Sequence, residues 1–238
     1  MNRQSGHKKQ VWIAATAFFL ILLIVVYVTI NNRSGISAAL FDEKDGNFTL
    51  QPGDILARPN LNWLPGSSKV SSGRKFGHAA IVVRGATGNS PEEALQKAMV
   101  VEAFVFDQAT RRFVFSREKQ VRLAPARISF GNRFSGIRYR LRMPLDLQQQ
   151  EMVVLFLNAQ IGKCRYKIFS NTPDCTEEKV KTDSLPAEDY GWNCATLISF
   201  TFCCAAGINI DANRGIIVYP NDIINSPVFN SSESRLRF

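Results

Sequence analysis

Residues 11–30 (VWIAATAFFLILLIVVYVTI) carry no charge over twenty consecutive positions. At the rise of an α-helix this run is about 30 Å long, the thickness of a bilayer's hydrocarbon core, and it exceeds the apolar region of a cleaved secretory leader. The pattern predicts an uncleaved membrane anchor at 11–30 behind a polar tail at 1–10. Arg3, Lys8 and Lys9 precede the run and Arg33 follows it. That bias sets the N-terminus in the cytoplasm and the rest of the chain outside, in a periplasm or an extracellular space. Residues 31–47 are polar and mixed in charge, with Gly35 and Gly46, and read as a tether.

From Phe48 onward the pattern changes to short apolar runs divided by turn residues. Strand-length runs with β-branched residues fall at 55–57, 79–83, 100–106, 113–115, 121–123, 137–143 and 216–218. Ser90, Pro91 and Glu93 start a small helix ending near Ala98. Asp146 with Gln149 caps a helix over 147–161, and a further helix over 194–206 is closed by Gly207. Long polar loops are expected at 59–77 and 164–191. Strands in the middle and helices toward the end predict an α+β domain over 48–229, followed by a flexible tail at 230–238.

Composition narrows the classes. The chain has 238 residues, is 45% hydrophobic, and carries 29 Lys+Arg against 20 Asp+Glu. It can therefore bury a core, which excludes a disordered or collagen-like chain. Its two histidines are His7 in the tail and His78 in the domain, and no CxxC pair occurs, so no metal or other cofactor is expected. The basic excess could draw the domain to anionic lipid or polymer. Arg138, Arg140 and Arg142 alternate as outward positions of a strand do, so a solvated surface is the expectation. No aromatic-interleaved basic patch points to nucleic acid.

Three residues could carry chemistry. Cys194 opens the helix at 194–206, where unpaired amides and the positive end of the dipole stabilise a thiolate and could hold an oxyanion. It is also readable as a small buried side chain, as are Cys203 and Cys204 in the same helix. His78 follows Gly77 at the mouth of a strand and is the imidazole the domain has to serve as base for a thiol. Its other reading is a satisfied or exposed histidine. Glu102 interrupts the apolar run VVEAFV, so it either faces solvent on an edge strand or is paired inside, for instance with a histidine ring N–H.

Several further segments join these in order: QPGDIL (51–56), GHAAIV (77–82), VEA (101–103), QIGKCRY (160–166), NCATLI (193–198) and YPNDIINS (219–226). Together they resemble the permuted NlpC-type papain-like cysteine peptidases and amidases, the branch of YiiX and YaeF that is related to lecithin retinol acyltransferase. The resemblance runs from Leu50 to about Phe229, with histidine before cysteine as in the permuted branch. It implies a papain-like domain with a central antiparallel sheet and packed helices. Cys194 is then the nucleophile, His78 the base, Glu102 the orienting residue and Tyr166 an aromatic at the substrate cleft. Cys164 stands where the family usually has proline, and Ala195 where serine is common. The implied substrate is a peptide of bacterial cell wall or, through the acyltransferase relatives, a lipid acyl chain; a catalytically silent binding domain is the alternative of another class. With Cys194 a reduced thiol, Cys164 and Cys175 could bridge across the intervening loop in an oxidising compartment, leaving Cys203 and Cys204 in the core.

Overall fold

The computed structural model describes residues 3–31, 38–59, 76–107, 110, 112–167, 191–211 and 218–238. Seven strands form the central sheet, in the order β1 (Ala39–Leu40), β13 (Arg235–Arg237), β10 (Tyr139–Leu141), β3 (Ile55–Pro59), β4 (Phe76–Arg84), β6 (Met99–Ala103) and β9 (Val121–Pro125). All neighbours run antiparallel except β1 and β13. Small two-stranded sheets pair β2 (Phe48–Leu50) with β5 (Ala86–Gly88), β7 (Phe106–Asp107) with β8 (Arg112–Phe113), and β11 (Arg165–Tyr166) with β12 (Gly191–Trp192). The helices are α1 (Arg3–Asn31), α2 (Pro91–Lys97), α3 (Ala126–Phe130), α4 (Leu147–Gln160), α5 (Cys194–Ala206) and α6 (Pro220–Ile224). The architecture is mixed α+β, with helices on both faces of a mostly antiparallel sheet.

Successive strand residues point to opposite faces, and each face is covered by its own apolar layer. Ile55, Ala57, Ala79, Ile81, Val101 and Ala103 pack under Val153 and Leu157 of α4, Leu197 and Ile198 of α5 and Ile223 of α6. Leu56, Ala80, Val82 and Val100 pack on the other side with Ala94 and Leu95 of α2 and with Phe130 of α3. Gly85 lets the chain pass Leu50 closely, since a Cβ there would lie 2.3 Å from that residue's carbonyl oxygen.

The capping readings match the structure. Ser90 accepts from the Glu93 amide, Asp146 and Gln149 form a capping box, and Gly207 closes α5 in the left-handed region at φ 66°. Three expectations require correction. The segment at 230–238 is not a flexible tail: β13 lies between β1 and β10, and Phe238 is buried against Phe48. A three-residue RLR run carries too weak a pattern to announce a strand, and only its neighbours define it. The tether at 31–47 likewise contains β1, which pairs with β13. Finally, Arg138 does not face solvent. It is 1% exposed, bonded to Glu92 at 2.7 Å and to the Phe130 carbonyl at 2.6 Å, with the Phe238 ring 4.5 Å from its guanidinium. Residues 216 and 217 of the strand expected at 216–218 and most of both long loops lie outside the described residues, and Val218 is described outside any strand.

In α1 the side chains of 12–26 are described, and nearly all are exposed, Trp12 at 74% and Phe18 at 68%. Among the described residues no helix is long and apolar enough to cross a membrane. The run at 11–30 extends past those side chains.

Candidate functional site

Cys194 is the first residue of α5, and the sequence builds that helix start. Asn193 accepts from the Thr196 amide at 2.8 Å, while its own N–H donates to Thr196 Oγ1 at 3.0 Å. As the first two helical residues, Cys194 and Ala195 have amides without an intrahelical acceptor. His78 sits on β4 beside the bulge that shifts its register against β3, and Glu102 sits on the neighbouring β6. Cross-strand register places His78, Glu102 and Arg122 on one face of the sheet.

Three positions far apart in the chain meet here. His78 Nε2 donates to Glu102 Oε2 at 2.7 Å, and the Cys194 thiol lies near enough to the His78 ring for each to shift the other's pKa. An ionised carboxylate can only accept, so Nε2 carries a proton and Nδ1 is the nitrogen left for sulfur. The Ala79 N–H also favours the thiolate form of Cys194. Glu102 Oε1 accepts from Arg122 Nε at 3.0 Å and Nη2 at 2.8 Å, and the Ser129 hydroxyl also favours the charged form of this carboxylate. Arg122 in turn lies 3.8 Å from the Phe104 ring centroid and 3.4 Å from Asp107. Stacked under the imidazole is Phe130, with centroids 5.8 Å apart.

Burial sets the electrostatics. Cys194, His78 and Glu102 are 6%, 7% and 1% exposed, and desolvation alone would favour the neutral form of each. For Glu102 that cost is outweighed by the His78 hydrogen bond and by the charges of His78 and Arg122, which hold its pKa down to about 2. Desolvation of His78 is overcome by hydrogen bonds to Cys194 and Glu102, so its pKa is raised. Burial would raise the Cys194 thiol, but the His78 hydrogen bond and charge, the Ala79 amide and the charge of Arg58 bring it below its ordinary value. Opposite displacements in the thiol and the imidazole favour a thiolate–imidazolium pair.

Tyr166, on β11, is near enough to the sulfur that a thiolate there raises its phenol pKa further, in addition to the larger effect of burial. Its backbone amide donates to Gln120 Oε1 at 2.7 Å. The reading of the residues alone missed Arg58 and Arg122. The sequence left Glu102 either facing solvent on an edge strand or paired inside, and identifying Arg122 needed the β6–β9 register, in which the two residues are directly opposed.

The cysteine pairing differs from expectation. Cys164 is a reduced thiol donating to Gln160 Oε1 at 3.2 Å, so it makes no bridge to Cys175, a residue outside the described set. Cys203 is disulfide-bonded. Cys194 and Cys204 are reduced, as Cys164 is. Helical neighbours point different ways, and Cys204 stays a thiol, its pKa pushed up to about 11 by burial. Among the described residues no group of three or more His, Cys, Asp or Glu side chains is arranged to hold a metal ion.

No protein-family model matches the chain, and no curated protein matches it. Among solved structures the chain is similar to the metalloprotein yiiX from Escherichia coli O157:H7, at 15% identity over 74% of this chain and 93% of that one, with a TM-score of 0.46.

Proposed function

We propose that the chain is a membrane-anchored thiol hydrolase of the permuted papain-like type, which cleaves an amide bond in cell-wall peptide through Cys194, His78 and Glu102. The observation that carries this reading is the buried imidazole bonded to a carboxylate at 2.7 Å and electrostatically coupled to a thiol at a helix N-terminus. The Cys194 thiolate attacks the carbonyl carbon, and the amides of Cys194 and Ala195 receive the negative charge that develops on oxygen. His78 gives its Nδ1 proton to the leaving amine, leaving a thioester. A water then attacks that thioester, His78 takes its proton, and the acid is released as the thiol re-forms. Glu102 holds the ring in orientation and stabilises the imidazolium.

Charged and polar groups around the sulfur, namely His78, Arg58 and Tyr166, suit a peptide amide better than a lipid chain. Twenty uncharged residues at 11–30, with large exposed apolar side chains along α1, support the anchor. A disulfide at Cys203 suits an oxidising compartment, in agreement with an outward-facing domain and a cytoplasmic N-terminus.

Iodoacetamide labelling of Cys194 across pH, read by mass spectrometry of its peptide, tests the chemistry. Wild type is expected to label well below the ordinary thiol pKa of about 8.5, and His78→Ala to move the midpoint up toward that value. Slow labelling in both, rising only near pH 8.5, describes a silent binding domain and ends the enzyme reading. Muropeptides and phospholipids, offered in parallel with Cys194→Ala as control, decide the substrate class.

A further inference from the structure

The chemistry above gives no step to Arg58, although this side chain is 2% exposed and directly opposite His78 in the β3–β4 ladder. Opposed residues share a sheet face with Cβ atoms roughly 5 Å apart. Its Nη1 donates to the Pro59 carbonyl at 3.0 Å, its guanidinium lies 4.6 Å from the Phe134 ring centroid, and its Nε is buried without a partner. Glu102 is the larger and the Cys194 thiolate the smaller of the two negative charges that favour the charged form of Arg58, but no carboxylate among the described residues is hydrogen-bonded to it. Glu102 gives one oxygen to His78 and the other to Arg122, and Arg122 also faces Asp107. Arg133 adds a second cation over the same Phe134 ring, and Tyr166 stays a neutral phenol. A buried guanidinium with no carboxylate bonded to it is expensive to keep, and with both Glu102 oxygens held by His78 and Arg122, the thiolate is the anion left to answer it.

We propose that Arg58 is a positioning residue whose fixed buried charge acts as counter-ion to the Cys194 thiolate. The inference rests on the thiol-hydrolase reading and adds to it the group that sets the resting state. Burial brings Arg58 down to about 10, so it remains a cation at neutral pH. A cation beside the pair makes the thiolate easier to form and the imidazolium easier to deprotonate. It thus favours nucleophile formation and, later, proton donation to the leaving group. Removing it raises both proton affinities together. Loosening of the Cys194–His78 contact acts differently: the thiol rises and the imidazole falls.

The full chain in wild-type, Arg58→Gln and Arg58→Lys forms gives the test. Cys194 labelling by iodoacetamide reads the thiol. The ring-proton NMR titration of His78, assigned against His7 by its loss in His78→Ala, reads the imidazole. In Arg58→Gln both midpoints are expected to move up by about one pH unit, with labelling below the midpoint slowed about tenfold. Arg58→Lys retains most of the wild-type behaviour. Midpoints that stay in place, or that part in opposite directions, overturn the proposal while leaving the hydrolase reading intact. A wild-type thiol that titrates near 8.5 overturns both. Arg58→Met, which preserves the stack on Phe134, replaces Arg58→Gln if that variant does not fold.

Discussion

Arg122 places both its Nε and its Nη2 on one oxygen of Glu102, at 3.0 and 2.8 Å, which leaves the second oxygen to His78. The carboxylate is thereby held on two sides, and the imidazole inherits a fixed orientation from a strand it does not touch. The hydrogen bond from His78 is only as well placed as the arginine behind it.

Arg122→Ala is expected to cost about 3 kcal/mol of stability in urea unfolding, because one partner of a buried pair is removed while the charge of Glu102 stays. Arg122→Lys recovers part of this, since one ammonium cannot reproduce two guanidinium donors. Wild-type stability in Arg122→Ala would show that His78 and Ser129 suffice to hold the carboxylate.

Glu102 also governs acid stability. Its folded pKa of about 2 lies below the ordinary 4.5 that it regains on unfolding. The group therefore adds stability that is complete above about pH 4.5 and is lost as pH falls toward 2, on the order of 3 kcal/mol in all. Melting temperatures from pH 6 to pH 2 are expected to fall less steeply in Glu102→Gln than in wild type. Parallel curves would contradict the assignment.

Asn193→Ala removes the side chain that caps α5 and is expected to cost about 1 kcal/mol, with Asn193→Asp nearly neutral because a carboxylate also accepts from the Thr196 amide. The cap also fixes the first turn that carries Cys194. Slower Cys194 labelling at neutral pH is the expected companion in Asn193→Ala, and unchanged labelling would separate the cap from the Cys194 thiol.

Phe238 is 5% exposed, with Phe48 at 4.7 Å and the Arg138 guanidinium at 4.5 Å. Phe238→Ala is expected to cost about 3 kcal/mol in urea unfolding. Deleting 235–238 withdraws the strand between β1 and β10 and is expected to abolish cooperative unfolding. A truncated chain that melts as wild type does would return this segment to the status of a tail.

Local signals were the legible ones. Ser90, Asp146 and Gly207 mark helix ends through hydrogen bonds within a few residues, so α2, α4 and α5 could be read with little error. β4 and β6 showed as β-branched runs. Arg138 was misjudged because alternation shows that residues share a face but not which face is covered; Glu92, Phe130 and Phe238 decide that from elsewhere in the chain. Glu102 was legible as a carboxylate either facing solvent on an edge strand or paired inside, and the packed sheet pairs it with His78 and Arg122.

The amino-acid order alone determined that a thiol would open a helix, that one imidazole was available to the domain, and that an acid stood within an apolar strand. Each is a matter of near neighbours, where capping, periodicity and composition act. Only the packed sheet decided that Arg122 secures Glu102, that Arg58 lies across from His78, and that residues 235–238 complete the core. Those outcomes depend on register between strands distant in the chain, which is fixed by burying two apolar layers together and leaves no mark within any short stretch.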